Sequence, residues 1–220
     1  MVLAEPEESL EVVDPASALG LRALAGAVRP AVLARARVLE LTGPLAEVLG
    51  GSLRRGSVLA LDGPLGAGVT SVVGALAAEV TARGEWAAVL DDGTFGGAAA
   101  AEAGVVTERL AVVRSTAADR WPTVVAALLD GMTLVAGSVP ARLRVGDARR
   151  LVARARERGA VLVPIGTWPV EAAVRVHVLG SDWVGLAPGA GMLRTRRWRV
   201  HVEGKGAGAH RGHAVHAVAG

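Results

Sequence analysis

The residue pattern with the clearest chemical potential lies at residues 63–71, which read Gly-Pro-Leu-Gly-Ala-Gly-Val-Thr-Ser. Phosphate-binding loops have the pattern G-x-x-x-x-G-K-S/T, in which glycines let backbone N–H groups turn toward phosphates at a helix N-terminus. Gly63, Gly68 and Thr70 match this pattern, but Val69 stands where the charge-neutralising lysine would be. The segment therefore has the spacing of a nucleotide site without its cation.

Two interpretations of this segment are open. If it binds a nucleotide or another anion, the contacts would come from Gly63, Gly66, Gly68, Thr70 and Ser71. Otherwise it is a turn that joins a strand to a helix. We favour the turn, because a helix N-terminus without a lysine attracts an anion only weakly. We therefore expect no cofactor.

The neighbouring sequence predicts the elements that would position this segment. Residues 57–62 are a short apolar run typical of a strand, and the apolar spacing of residues 70–83 predicts a helix. Further strands are predicted at 86–90, 110–114, 132–136 and 160–165, and further helices at 97–103, 118–129 and 146–158. This alternation predicts an α/β fold in which helices flank a central, mostly parallel sheet.

The ends of the chain differ from this core. Residues 174–178, 183–186 and 195–203 are strand-like, with a turn at 180–182, and predict antiparallel strands added at the C-terminal end of the sheet. We divide the chain into an acidic flexible tail (1–14), a helical segment (15–50), the core (51–203) and a disordered tail of Gly, Ala and His (204–220).

Composition and charge limit the function classes. The chain has no cysteine, which fits a reducing cytoplasm, and no apolar run long enough to span a membrane. Residues 1–110 contain 8 Arg against 14 Asp or Glu, a net charge of −6, whereas residues 111–220 contain 15 Arg and Lys205 against 7 acidic residues, a net charge of +9. This asymmetry predicts a basic surface for nucleic acid or an acidic partner, although an ordinary solvated surface is the alternative.

Basic residues that could make such contacts concentrate near the C-terminus. They are Arg175, Arg194, Arg196, Arg197, Arg199, Lys205 and Arg211. The strand period places Arg197 and Arg199 on one side and Trp198 on the other, where it is expected in the core.

Three further groups carry charged or titratable side chains, and we favour no functional role for any of them. They are the helix-face arginines Arg150, Arg154 and Arg158, expected on a solvated face, the paired carboxylates Asp91 and Asp92, expected to cap a helix or solvate a strand end, and the tail histidines His210, His213 and His216. The alternatives are binding of phosphate or an acidic partner for the arginines and metal binding for the other two groups. Ser71 and Ser138 lie in no recognisable nucleophile motif. We expect no metal site and no catalytic residue.

Residues 38–205 resemble the RecA-like fold, in particular its degenerate ImuA-type members. The resemblance rests on a lead-in helix and turn at 41–56, the loop at 63–71, the strand end at 87–93 and an Arg-rich strand at 193–200. It implies a RecA-like P-loop fold and a cytoplasmic or nucleoid-associated accessory protein of the SOS response. Such proteins act in translesion synthesis with an inactive Y-family polymerase homologue and an error-prone replicative-type polymerase, and DNA is a further expected partner.

The same resemblance implies that ATP hydrolysis is lost. Active relatives have a glutamate where Gly93 stands and an acidic residue on the strand at 132–137, which has none here. Together with Val69 these are three losses, and phosphoryl transfer depends on such groups. The segments 137–146 and 166–173 are too short for long DNA-binding loops, so we do not expect strand exchange.

Two other functions stay open. One is a divergent P-loop ATPase in which an arginine such as Arg54 or Arg55 replaces the lysine. The other is an SOS cell-division inhibitor that binds a tubulin-like protein.

Overall fold

The computed structural model of the protein describes residues 38–114, 117–187, 190–204 and 210–217; of residues 186–187, 190–194 and 210–217 only the backbone is described. The predictions for residues 1–37, an acidic tail followed by helix, lie outside these ranges.

Strands and helices alternate through the middle of the chain. The described strands are β1 (Val38–Glu40), β2 (Ser52–Arg54), β3 (Leu59–Asp62), β4 (Ala87–Asp91), β5 (Leu110–Arg114), β6 (Leu134–Ser138), β7 (Val161–Ile165), β8 (Val174–Ala187), β9 (Ala190–Gly204) and β10 (His210–Ala217). The described helices are α1 (Gly43–Leu49), α2 (Val69–Thr81), α3 (Gly97–Glu102), α4 (Trp121–Leu129) and α5 (Val145–Arg158). From β3 to β7, each element was predicted to within three residues. No helix in the described ranges is long and apolar enough to span a membrane.

The main sheet of the described chain has eight strands in the order β10-β9-β8-β3-β7-β6-β4-β5. Neighbouring strands from β8 to β5 run parallel, whereas β9 is antiparallel to both β8 and β10. The predicted α/β architecture is therefore confirmed, with a mostly parallel sheet flanked by helices and antiparallel strands at its C-terminal end.

Two apolar clusters cover the two faces of this sheet. Helices α1, α2 and α3 pack on one face, where Leu61 of β3 and Trp198 of β9 are buried. Helices α4 and α5 pack on the other face, against residues such as Ala60. Because consecutive strand residues point to opposite faces and helices cover both faces, the central strands are apolar except at their carboxyl ends.

Pro164 lies in the central strand β7 and interrupts its pairing with β3. Leu162 donates its backbone N–H to the carbonyl oxygen of Ser57 at 3.1 Å, and Gly166 donates its N–H to that of Leu61 at 2.8 Å. Alternation along the strand would assign the carbonyl of Leu59 to residue 164, but proline has no N–H to donate. The β3–β7 ladder is therefore broken in its middle.

The turn predicted at residues 180–182 is wrong. β8 continues through these residues with a bulge between Val178 and Gly180, and it pairs with β9 on both sides of the bulge. A bulge absorbs one extra residue while the strand continues. The small and polar residues that suggested a turn therefore lie inside a long hairpin.

The C-terminal tail predicted to be disordered also differs, because residues 210–217 form β10. This strand pairs antiparallel with β9 over its whole length. Pairing with a neighbouring strand supplies the backbone hydrogen bonds that a segment rich in Gly and Ala would not form alone. Residues 205–209 and 218–220 lie outside the described ranges.

Near the start of the described chain, β1 and β2 form a separate two-stranded antiparallel sheet that the sequence reasoning missed. Leu39 pairs with Leu53, and both side chains are buried. The segment predicted to be helical at 15–50 thus contains a strand in its described part.

Candidate functional site

The segment with phosphate-loop spacing, residues 63–71, connects β3 to α2, as the sequence predicts, and we call it the glycine loop. Gly63 lies against β8: a Cβ atom there would be 2.5 Å from the carbonyl oxygen of Val178. Gly66 and Gly68 have φ angles of 80° and 110°, which favour glycine. The glycines are therefore required by the backbone of the loop, whatever it binds.

The side chains of the loop supply no positive charge. Val69 is half-buried and packs against the apolar cluster under α2. Thr70 is exposed, and Leu65 at the tip of the loop is fully exposed. Any cation at this loop must come from another part of the chain.

Arg196 of β9 is that cation. Its Nη1 donates to Ser71 Oγ at 2.7 Å, and its Nη2 donates to the Gly66 carbonyl at 3.2 Å. Its Nε donates to Ser181 Oγ of β8 at 2.9 Å, and its guanidinium carbon lies 4.8 Å from the ring centroid of Trp183. Burial lowers the pKa of Arg196. The guanidinium thus joins β8, β9 and the glycine loop.

A cavity of about 170 Å³ opens beside these groups. Trp183, Arg196, Phe95, Ser71 and Glu102 line it together with small residues of α2 and α3. Trp183 is 42% exposed. The cavity therefore combines one guanidinium, one carboxylate, hydroxyl groups and two aromatic rings next to the glycine loop.

The carboxylates at the end of β4, Asp91 and Asp92, shape the next turn of the backbone. Asp91, only 5% exposed, accepts the backbone N–H groups of Gly93, Thr94 and Phe95 through one oxygen, at 2.9, 2.9 and 2.8 Å. Gly93 has a φ angle of 100°, which residues with side chains rarely adopt. Asp91 therefore holds a turn in which glycine is strongly favoured at position 93.

Asp92 reaches across to β6. It accepts Thr94 Oγ1 at 2.7 Å and Ser138 Oγ at 3.0 Å. The hydrogen bond from Thr94 lowers the pKa of Asp92, Ser138 adds to this effect, and partial burial opposes it. Within the described residues, no group of three His, Asp or Glu side chains has a geometry that could hold a metal ion. The contacts of Asp91 and Asp92 are those of structural residues.

The basic residues predicted to contact nucleic acid or a partner lie in different places. Arg196 points to the glycine loop, whereas Arg197 and Arg199 are exposed on the opposite side of β9. Arg199 pairs with Asp182 at 3.7 Å. Arg175 donates to the backbone carbonyls of residues 168 and 170. The side chains of Arg194, Lys205 and Arg211 lie outside the described part of the chain. The described members of the predicted set are therefore divided between two faces of the sheet.

The arginines predicted to share a face of α5 are paired with carboxylates. Arg154 and Arg158 both donate to Asp130, through their Nε atoms at 2.7 and 3.1 Å, and Arg150 pairs with Asp147. The hydrogen bonds to Asp130 raise the pKa of Arg154, and burial opposes them. Two of these arginines thus tie α5 to the end of α4.

Comparison with known proteins identifies the family of the chain. The family model of the MT3502 N-terminal domain matches residues 47–170, more than half of the chain. The chain belongs to the MT3502 N-terminal domain family. It is also 36% identical over 146 residues to the uncharacterized protein Rv3395c of Mycobacterium tuberculosis (strain ATCC 25618 / H37Rv), an alignment that covers 63% of this chain and 71% of that protein.

The range matched to the MT3502 N-terminal domain divides the candidate site. It contains the glycine loop, Asp91 and Asp92, but it ends before β8 begins at Val174. Trp183 and Arg196 therefore come from the part of the chain that follows the matched range.

A histidine pair near the end of β3 was not anticipated from the sequence. His177 Nδ1 lies 2.6 Å from Asp62 Oδ1, and the His177 ring stacks on the His201 ring with centroids 6.0 Å apart. His201 in turn contacts Glu203 at 3.1 Å. The period-two pattern could have placed these side chains on one strand face, but only the pairing of β8 with β3 and β9 brings them together.

Proposed function

We propose that the protein is a non-catalytic, RecA-like accessory protein in DNA-damage-induced mutagenesis. In this proposal it acts in translesion synthesis by binding an inactive Y-family polymerase homologue, together with an error-prone replicative-type polymerase. The proposal is supported by the order of the segments that resemble ImuA-type proteins, together with the mostly parallel sheet and its C-terminal antiparallel strands. It makes the core a scaffold for assembly.

The chemistry of the glycine loop carries the non-catalytic part of this proposal. Val69, which replaces the lysine, is half-buried and packs against the apolar core. Gly93 occupies a backbone conformation that disfavours the glutamate of active relatives, and β6 ends in Ser138 where they have an acidic residue. Phosphoryl transfer needs a positioned cation, a metal and a water-orienting group. The lysine and the glutamate of active relatives are thus both replaced, and the cation that contacts the loop is Arg196, through Ser71 and Gly66.

The ATPase alternative loses Arg55, one of the two arginines named as a replacement for the lysine. Arg55 donates to both carboxylate oxygens of Glu85, at 2.8 and 2.6 Å, and Glu85 also accepts Thr133 Oγ1 at 2.7 Å. Glu85 and Thr133 precede β4 and β6, at the end of the sheet opposite to the glycine loop. Arg55 therefore contacts Glu85, at the end of the sheet away from the glycine loop.

Arg197 and Arg199 support a contact surface on the other side of β9. Both side chains are exposed, and neither is used by the glycine loop. Exposed arginines on a strand can meet the carboxylates of a partner or the phosphates of DNA. We assign the partner contact to this side.

The first experiment tests the partner and the pathway. Affinity capture of the tagged protein from DNA-damaged cells is expected to recover the polymerase homologue, and deletion of the gene is expected to lower damage-induced mutation. R197A/R199A should fail to restore mutation, whereas the matched variant R149A/R156A, which removes two exposed arginines of α5, should restore it. Unchanged mutation after deletion, with neither the polymerase nor DNA bound, would refute the proposal. Cell filamentation on overexpression would instead favour the cell-division inhibitor.

The second experiment tests the loss of catalysis. Calorimetric titration of the purified protein with Mg-ATP is expected to show no binding and no hydrolysis. Clear Mg-dependent binding that Thr70→Ala abolishes would favour an ATPase and contradict this part of the proposal.

A further inference from the structure

The guanidinium of Arg196 rests directly on the glycine loop. A Cβ atom at Gly68 would lie 2.8 Å from Arg196 Nη2 and 2.9 Å from its Cζ. Gly68 is the residue from which α2 begins, and its carbonyl accepts the N–H of Val72 at 3.1 Å. The side chain of Arg196 therefore fills the space in front of the first turn of α2.

The groups that hold Arg196 are all uncharged. They are the Ser71 and Ser181 hydroxyls, the Gly66 carbonyl and the Trp183 ring. No carboxylate among the described residues forms an ion pair with it. A helix N-terminus repels a cation, so charge alone does not explain this position. The position is explained by shape and by the hydrogen bonds to Ser71, Ser181 and Gly66.

We propose that Arg196 is an internal plug: its guanidinium closes the glycine loop against phosphate and clamps the β8–β9 hairpin onto α2. Three of its N–H groups donate to the two hydroxyls and the carbonyl. Two of these acceptors, Ser71 and Gly66, belong to the loop itself. A phosphate group could reach the backbone N–H groups of the loop only after the guanidinium had left. The plug concerns this chain alone and does not depend on any partner or pathway.

The plug predicts what restoring the lysine would do. Val69→Lys alone restores the lysine of the phosphate-loop pattern while Arg196 stays in place, and it should give little or no binding of Mg-ADP. Val69→Lys combined with Arg196→Ala opens the loop and should bind Mg-ADP at least about tenfold more tightly than Val69→Lys combined with Arg197→Ala. Arg197 is the matched control, because it is the next residue of β9 and is exposed on the opposite side.

Calorimetric titration of the three purified variants with Mg-ADP measures these affinities. The proposal is overturned if V69K/R196A binds no more tightly than V69K/R197A, or if V69K alone binds as tightly as V69K/R196A. Circular dichroism establishes that each variant is folded.

A second measurement tests the clamp without the lysine substitution. Arg196→Met keeps an apolar stem against Trp183 but removes all the hydrogen bonds. Amide hydrogen exchange of residues 63–71 in R196M should be several-fold faster than in the wild type, and in R197M it should be unchanged. Equal exchange in R196M and the wild type would show that Arg196 does not hold the loop. These measurements use purified protein, so their failure is distinct from failure of the repair proposal.

Discussion

Asp91 provides the sharpest test of the structural role assigned to the carboxylates at the end of β4. Its single oxygen accepts three backbone N–H groups, and the residue is 5% exposed. Hydrogen bonds to a charged acceptor contribute about 1.5–3 kcal/mol each, but these three share one oxygen, and water can reach the exposed residues of the turn. We expect Asp91→Ala to lower the free energy of unfolding by about 3 kcal/mol.

Asp91→Asn should cost about half as much as Asp91→Ala, because the amide oxygen still accepts hydrogen bonds but carries no charge. Urea denaturation measures both values, and for a chain of this size D91A should lower Tm by about 6–12 °C. Asp92→Ala is the matched control and should cost less than about 1 kcal/mol, since Asp92 is exposed. A cost below about 1 kcal/mol for D91A, or an equal cost for D92A, would refute this account of the turn.

Two further predictions concern side chains outside the candidate site, one half-buried and one fully buried. Glu85→Ala should lower the free energy of unfolding by about 2 kcal/mol, because it leaves the nearly buried Arg55 without its carboxylate. Burial by itself raises the pKa of Glu85, but the hydrogen bonds from Arg55 and Thr133 outweigh it and leave the pKa below the ordinary 4.5. The contribution of Glu85 to stability is therefore present above pH 4.5 and is lost as the pH falls through the lowered pKa. As a result, E85A should lose less stability in acid than the wild type. Equal acid sensitivity of the two proteins would contradict the assignment. Trp198→Ala should lower the free energy of unfolding, measured by urea denaturation, by about 4 kcal/mol, because Trp198 is buried. The exposed Arg197→Ala is the control and should lower it by less than about 0.5 kcal/mol. A small effect of W198A would mean that β9 does not contribute to the core.

Sequence patterns predicted the part of the fold in which local signals are strong. Alternating apolar runs located β3 to β7 and their helices, and glycine spacing located the turn between β3 and α2. β8 was harder, because the small and polar residues at 180–182 look like a turn, and only the partner strand β9 shows that the backbone continues. β10 and the β1–β2 sheet also depend on pairing, which a single sequence does not encode locally.

The candidate site follows the same division. The spacing of the glycines locates the loop, and Val69 marks the position at which the lysine is missing. The contact of Arg196 with the loop joins residues more than one hundred positions apart, so no local pattern could reveal it. Arg196 and Arg197 look equivalent in sequence, yet the strand alternation sends them to opposite sides of β9.

The broken ladder at Pro164 divides the main sheet into two parts. It lies between the strands that carry the glycine loop and Arg196, on one side, and those that carry Asp91 and Asp92, on the other. Because one hydrogen bond is missing there, β3 and β7 are held together by fewer backbone contacts than the fully paired β6 and β7. Helix α2 starts at the glycine loop and also packs against β4 and β6, so it spans this line. The helix layer therefore bridges the interrupted ladder and links the half of the sheet that carries the glycine loop to the half that carries the two carboxylates.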